Sequence, residues 1–383
     1  MVVIKHGTVH DGLGQVKQVD LAIEGGIIVD MRANIAASKH EVVDASGCVV
    51  LPGFVDALNV WGTVGPGWTE GDNHEGSAPI TPEMNILYGF DHDGMNFQKV
   101  YTYGVTAACI SPSNKNIIGG QTAVFKTVGS SPYRMLVKES NAMIASVTNQ
   151  VKKAFQKREV APMTRMGIFS MLIEALDKAE KYKPDDGYDS KHLAVQRVLS
   201  GELPLFVNCS GKAQIDAVLN ALGRYPKLRL VLTGAFGLDD QFQPVLSGEV
   251  PVVLGDQTEC YIPGNSKTEP DKIIAMMENP NCPAQIAISC CGDGTTSGKE
   301  SLLWNALYWR RHGLSSAQAL RAITSTPARI LQVGDRIGCL RKGYDADLSI
   351  WSDNPLDTYK AQLRKVYVDG EDILSRQGGI SCW

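Results

Sequence analysis

Several things are scarce in this chain, and each scarcity excludes a class of protein. There is no excess of basic residues: 37 Lys and Arg stand against 41 Asp and Glu in 383 residues, for a net charge of −4. With both signs scattered along the chain, no broad positive field exists to attract nucleic acid. No uninterrupted apolar run is long enough to span a bilayer, and the start, Met1-Val2-Val3-Ile4-Lys5-His6-Gly7, has none of the tripartite pattern of a signal peptide. These absences predict a cytoplasmic protein with neither nucleic acid nor membrane as partner. Cysteine is present nine times, an odd number spread from Cys48 to Cys382 without the spacing of a disulfide framework or a Cys-x-x-Cys pair. Reduced thiols are expected, and a closed structural zinc site is not. Histidine is sparse, with seven in the whole chain.

What is present describes a folded protein with a substantial core, 44% hydrophobic and 20% charged. Both ends carry short β-favouring runs, such as residues 2–4, 20–23 and 26–29 near the start and 347–351 and 365–368 near the end. Asp11-Gly12, Gly25-Gly26 and Asp369-Gly370 punctuate them as turns. Between the ends, continuous apolar runs at 203–207, 229–232, 251–254 and 285–288 have the character of parallel strands buried on both faces. Helical stripes alternate with them: Ile168, Leu172, Ala175, Leu176 and Ala179 form one, and Ile215, Val218, Leu219 and Leu222 another. Ser315-Ser316-Ala317-Gln318 reads as a capping box opening a further helix. The pattern predicts an α/β protein with a parallel sheet and β-rich ends.

The frame Leu51-Pro52-Gly53-Phe54-Val55-Asp56, the segment Asp20-Leu21-Ala22-Ile23-Glu24-Gly25-Gly26, and Gly343-Tyr344-Asp345-Ala346-Asp347-Leu348 together resemble the amidohydrolase superfamily. Asn116-Ile117-Ile118-Gly119-Gly120-Gln121 and Thr164-Arg165-Met166-Gly167 are similar to its imidazolonepropionase-like branch. The resemblance implies a distorted (β/α)8 TIM barrel of the metallo-dependent hydrolase type over residues 52–331. A small composite β-sandwich, built from residues 1–51 and 332–383, is implied beside it. It also implies one or two divalent metal ions, held by His-x-His on strand 1, a lysine or carboxylate on strand 4, histidines on strands 5 and 6, and an aspartate on strand 8. Such ions polarise the scissile carbonyl and acidify a bound water.

At the matching places this chain carries Leu58 and Val60, Asn208, Gly234 and Cys291, and on strand 4 the place falls on Ile144. The apolar replacements have no lone pair for a metal. These positions are therefore expected to form a ligand pocket without metal, with Gln121 and Ser210 as further contacts. Relocated donors are the alternative: His74 and His92, flanked by carboxylates in the long segment after strand 1, and Asp293 just beyond Cys291. Cys209, Cys290 and Cys291 fall at predicted strand ends, where a thiolate can attack an acyl carbon if a base lowers its pKa. Two expectations follow. The first is a pseudoenzyme without cofactor: a non-catalytic subunit or small-ligand-binding protein, assembling as a homo-oligomer or with an active amidohydrolase paralogue. The second is an active hydrolase of C–N bonds, using zinc or another divalent metal on His74, His92 and Asp293, or a thiol at Cys209 or Cys291.

Overall fold

The structure is a computed structural model that describes residues 1–65, 71–183, 185, 187–256, 269–291 and 298–376. Seven short strands open the chain: β1 (Val2–Lys5), β2 (Thr8–His10), β3 (Val16–Gln18), β4 (Asp20–Glu24), β5 (Ile27–Arg32), β6 (Glu41–Asp44) and β7 (Val49–Pro52). Eight more follow: β8 (Phe54–Asn59), β9 (Val105–Ile110), β10 (Ile118–Lys126), β11 (Leu136–Ser146), β12 (Leu205–Ser210), β13 (Leu230–Phe236), β14 (Val252–Leu254) and β15 (Ile286–Ile288). The chain ends with β16 (Leu348–Trp351), β17 (Leu363–Val368) and β18 (Glu371–Asp372).

Strands β8 to β15 form one eight-stranded sheet in sequence order, curled until β15 comes back against β8. Its inner face is a continuous apolar column that includes Val55, Ala107, Val124, Phe206, Val231, Val253 and Ala287. Val105, Phe125, Met143, Leu205, Leu232 and Ile288 point the other way, into the layer shared with the helices. Two faces of opposite destination, both apolar, are what the uninterrupted hydrophobic runs required. Ala328, Leu331 and Ile337 close the column from beneath.

The sheet is not wholly parallel, as the apolar runs had suggested. β10 pairs antiparallel with both β9 and β11. The physical reason is chain length: only residues 111–117 join β9 to β10, too few for a parallel crossover, which needs a dozen residues or more.

The two chain ends meet in a pair of sheets. One, in the order β5-β4-β1-β6, comes from the start alone, while the other, β18-β17-β16-β7-β2-β3, interleaves strands from both ends. Ile4, Leu21, Ile28 and Val43 of the first sheet share a core with Val9, Val50, Leu348, Ile350 and Tyr367 of the second, so the pair is a sandwich. β7 runs almost directly into β8 through Gly53, where a Cβ would collide with the Thr106 side chain. Only glycine lets the chain pass so close to β9 as it leaves the sandwich for the barrel.

A buried ion cluster joins the two bodies. Lys126 at the end of β10 reaches Asp345 Oδ2 at 2.9 Å, Asp347 Oδ2 at 2.7 Å and Asp369 Oδ1 at 2.8 Å. Arg336 adds a second cation to Asp345 at 2.9 Å. The paired carboxylates of the Gly343–Leu348 segment are thus acceptors for a barrel lysine.

Candidate functional site at the barrel mouth

The parallel strands β8 and β11 to β14 point their C-terminal ends at one face, where a barrel of this kind presents its chemistry. The side chains gathered there are mostly non-ionising. Leu58, Ile144 and Cys291 belong to the inner apolar column and are nearly or fully buried. Asn208 lies two residues after the inward Phe206 and is also buried. Gly234 adopts φ +70, and a Cβ there would approach Asn208 Nδ2 to 3.0 Å. A histidine at this place would carry both backbone strain and a clash. Beside it, Phe236 lays its ring against the backbone of Gly255, whose own Cβ would meet the ring at 3.0 Å and the Cys291 carbonyl at 2.7 Å. Gly255 thus makes room for an aromatic ring at the mouth. Val60 lies just past β8, half-buried, its carbonyl accepting from the Thr63 hydroxyl at 2.6 Å.

One carboxylate at this end is fully buried and was read in the sequence only as part of the frame. Asp56 Oδ1 accepts from Ser289 Oγ at 2.5 Å and from the Cys290 amide at 3.2 Å, and Oδ2 accepts from Asn59 Nδ2 at 3.0 Å. Burial pushes its pKa up, and these donors oppose the shift. Since β8 and β15 share no ladder, Asp56 and Ser289 staple the seam of the barrel. Asn305 completes the staple from its helix (Ser301–Arg311), donating to the carbonyls of Ser289 at 2.8 Å and Gly255 at 3.3 Å. Asp256, also buried, donates its backbone amide to the Cys291 carbonyl at 2.9 Å.

The other sequence-derived candidates are dispersed. Cys209 does not face the pocket: it lies in the outer layer with Leu205 and Val207, and its thiol is directed at the Thr233 carbonyl. Of the adjacent pair, Cys290 faces outward and Cys291 inward. Burial pushes the thiols of Cys209 and Cys291 up to about 12, and the charges of Asp56 and Asp256 add to the rise at Cys291. Neither supplies a thiolate near neutrality, which is the physical objection to the thiol mechanism. Gln121 is likewise occupied elsewhere, donating to the Pro82 carbonyl at 3.1 Å and accepting from Arg197 at 3.1 Å, so it braces a loop and a helix rather than a ligand. Ser210 is buried, its amide donating to Gln214 Oε1 at 2.8 Å.

His74 bonds Asn116 Oδ1 through Nε2 at 3.1 Å, and burial lowers its pKa. His92 stands 3.8 Å from Asp93, its own neighbour. The two histidines share no partner in these contacts. Asp293 lies outside the described residues. Among the described residues no three of His, Cys, Asp and Glu converge as a metal site. The residues at the former ligand places do not fit a divalent cation: Leu58, Ile144 and Gly234 have no donor atom, and Asn208 brings no charge, which leaves Cys291 alone among them.

The thiol placement has a direct consequence. In the native protein at pH 8, iodoacetamide should label the half-buried Cys48 and Cys282 well before Cys109, Cys209 and Cys291, as read by peptide mass spectrometry. Rapid labelling of Cys291 would show a thiol more open and more acidic than its surroundings imply.

The fold is a barrel attached to a sandwich built from both chain ends. The comparisons agree. The Amidohydrolase family model matches residues 288–373. Amidohydrolase tasK of Hapsidospora irregularis is 24% identical over 92% of this chain, which spans only 39% of that protein. The dihydroorotase of Thermoanaerobacter sp. is 49% identical over 55 residues, a stretch that is 13% of its length. Among solved structures, an amidohydrolase from Thermotoga maritima superposes with a TM-score of 0.86 at 24% identity, covering 97% of this chain and 99% of its own. An adenosine deaminase from Xanthomonas campestris, solved with bound zinc, has the same fold with a TM-score of 0.59 at 16% identity, over 100% of this chain and 94% of its own. Residues 288–373 thus match the Amidohydrolase family model, and the chain shares the fold of solved amidohydrolases.

Proposed function

We propose that this protein is a member of the amidohydrolase superfamily that does not hydrolyse through a bound metal and serves as a non-catalytic subunit or a small-ligand-binding protein. The observation that carries this reading is the packing of Leu58, Ile144 and Cys291 into the apolar column at the strand ends. Apolar side chains there fill space that would otherwise need a cation to satisfy desolvated donors. Asn208 retains hydrogen-bonding capacity at the mouth and is the natural contact for a neutral polar ligand. A homo-oligomer, or a complex with an active paralogue, is the assembly such a protein would enter.

The test is elemental analysis of protein purified without chelators, with turnover measured on N-acyl amino acid, dipeptide and lactam substrates. Less than about 0.1 metal ion per chain and no turnover above buffer are expected, because sites lacking charged donors bind divalent ions weakly. Stoichiometric zinc, manganese or iron that is released by His74→Ala, His92→Ala or Asp293→Ala would overturn the proposal and restore metal-dependent C–N hydrolysis. Metal-free turnover abolished by Cys291→Ser would restore the thiol reading.

A further inference from the structure

The barrel carries a polar cleft at the end opposite its mouth. It has a volume of about 230 Å³ and opens beside the N-terminal end of β15, under the helices Ser316–Ala322 and Ser325–Ile330. Helical spacing builds one wall: Gln318 and Arg321 sit one turn apart on the first helix, and Thr326 and Arg329 one turn apart on the second. Gln285 and Ile286 face them from the connection into β15.

Among the described residues no carboxylate lines this cleft. Arg32, Arg197, Arg310 and Arg336 each sit on an acidic side chain. Neither Arg321 nor Arg329 has such a counter-ion among the described residues. Arg321 is nevertheless held in place. It donates to the carbonyl of Leu13, and Gly14, at φ +99, leaves room for the guanidinium where a Cβ would stand 2.5 Å from Nη2. That contact uses one of five N–H donors, and the Arg329 guanidinium uses none among the described residues. Two guanidinium forks on one cleft, with the Thr326 hydroxyl and the side-chain amides of Asn279, Gln285 and Gln318 beside them and no acid in the lining, match an oxyanion that accepts bidentate hydrogen bonds.

We propose that this cleft binds a small phosphate-bearing ligand, the dianion bridging Arg321 and Arg329. The volume exceeds that of a bare phosphate, which leaves room for a short organic group against Ile286. The site stands independently of whether the mouth is catalytic.

Titration calorimetry on the full chain tests it, at constant ionic strength, with inorganic phosphate, glycerol 3-phosphate and malonate as probes. Saturable binding of a phosphate form is expected. If the ester binds more tightly, the source is a phosphorylated metabolite; if the two are equal, it is the free ion. Arg329→Gln should weaken that binding by at least about tenfold, the loss of a charge-assisted pair of hydrogen bonds. Because the Arg329 side chain makes no hydrogen bond among the described residues, this variant should keep the wild-type unfolding midpoint. Arg321→Gln should weaken binding as much, and its midpoint separates lost binding from loss of the Leu13 contact. Absence of saturable heat with both phosphate forms, undiminished affinity in Arg329→Gln, or malonate binding as tightly as phosphate would each overturn the proposal.

Discussion

Replacing Lys126 by methionine should destabilise the fold by about 3–5 kcal/mol, measured by urea unfolding, the cost of removing one partner from a buried ionic group. The ammonium has 4% of its side-chain surface exposed and satisfies Asp345, Asp347 and Asp369 at once. Methionine keeps the length and apolar stem but leaves the carboxylates facing one another. Asp345 retains Arg336, so the uncompensated charge falls chiefly on Asp347, whose side chain is almost fully buried. Burial already raises the Asp347 pKa, with Lys126 opposing the shift. Without that cation the folded-state pKa rises further above its unfolded value. The folded state then binds more protons, so the stability tied to this group is present at low pH and lost as pH rises through the folded pKa. The deficit should therefore be largest near neutrality and shrink as the pH is lowered towards the unfolded carboxylate pKa. A loss below about 1 kcal/mol at pH 7, the range of an exposed pair, would mean that the cluster is solvated.

Asp56→Ala is expected to rank close behind, at about 2–5 kcal/mol, because it removes the one acceptor that several buried donors share. The Ser289 hydroxyl, the Cys290 amide and Asn59 Nδ2 all lose their carboxylate partner in a site closed to water. The damage should be local first: hydrogen exchange at the amides of Leu58 and Cys290, on the two sides of the seam, should accelerate more than at Val207 or Leu232 in the middle of the sheet. Asp56→Asn preserves shape and one acceptor and should lose less. The acid also has a pH signature. With its folded pKa raised by burial, its contribution is full below the unfolded pKa and falls as pH rises through the folded one, and Asp56→Asn should remove that slope. Equal stability of Asp56→Ala and the parent would mean that the barrel closes without this staple.

Several of these features were legible in the sequence. The turn pairs and short β runs placed the sandwich strands at both ends, and the continuous apolar runs placed the barrel strands, because burial on both faces leaves no alternation to misread. The sequence reading placed Cys209, Cys290 and Cys291 together at the mouth, which the alternation of a strand forbids. With a period of two, Asn208 and Cys209 cannot both face inward, and the same constraint divides Cys290 from Cys291. Other features were not. Nothing local marks β10 as antiparallel, since its direction follows from the shortness of the preceding connection and not from its own residues. Gln121 looked free because Pro82 and Arg197, which engage it, lie 39 and 76 residues away. Asp56 stood inside the most informative motif of the chain, but its partner Ser289 is 233 residues distant.

The sequence alone determined the inventory of chemistry at the strand ends, because the presence of a lone pair or a charge belongs to the residue itself: Leu58 and Ile144 offer no ligand in any fold. Only the tertiary structure decided how the remaining polar groups are used. Asp56 became a seam staple, Lys126 the link between barrel and sandwich, and Arg321 and Arg329 the wall of a cleft. Barrel closure and strand register set which groups meet, and both are properties of contacts between residues far apart in the chain.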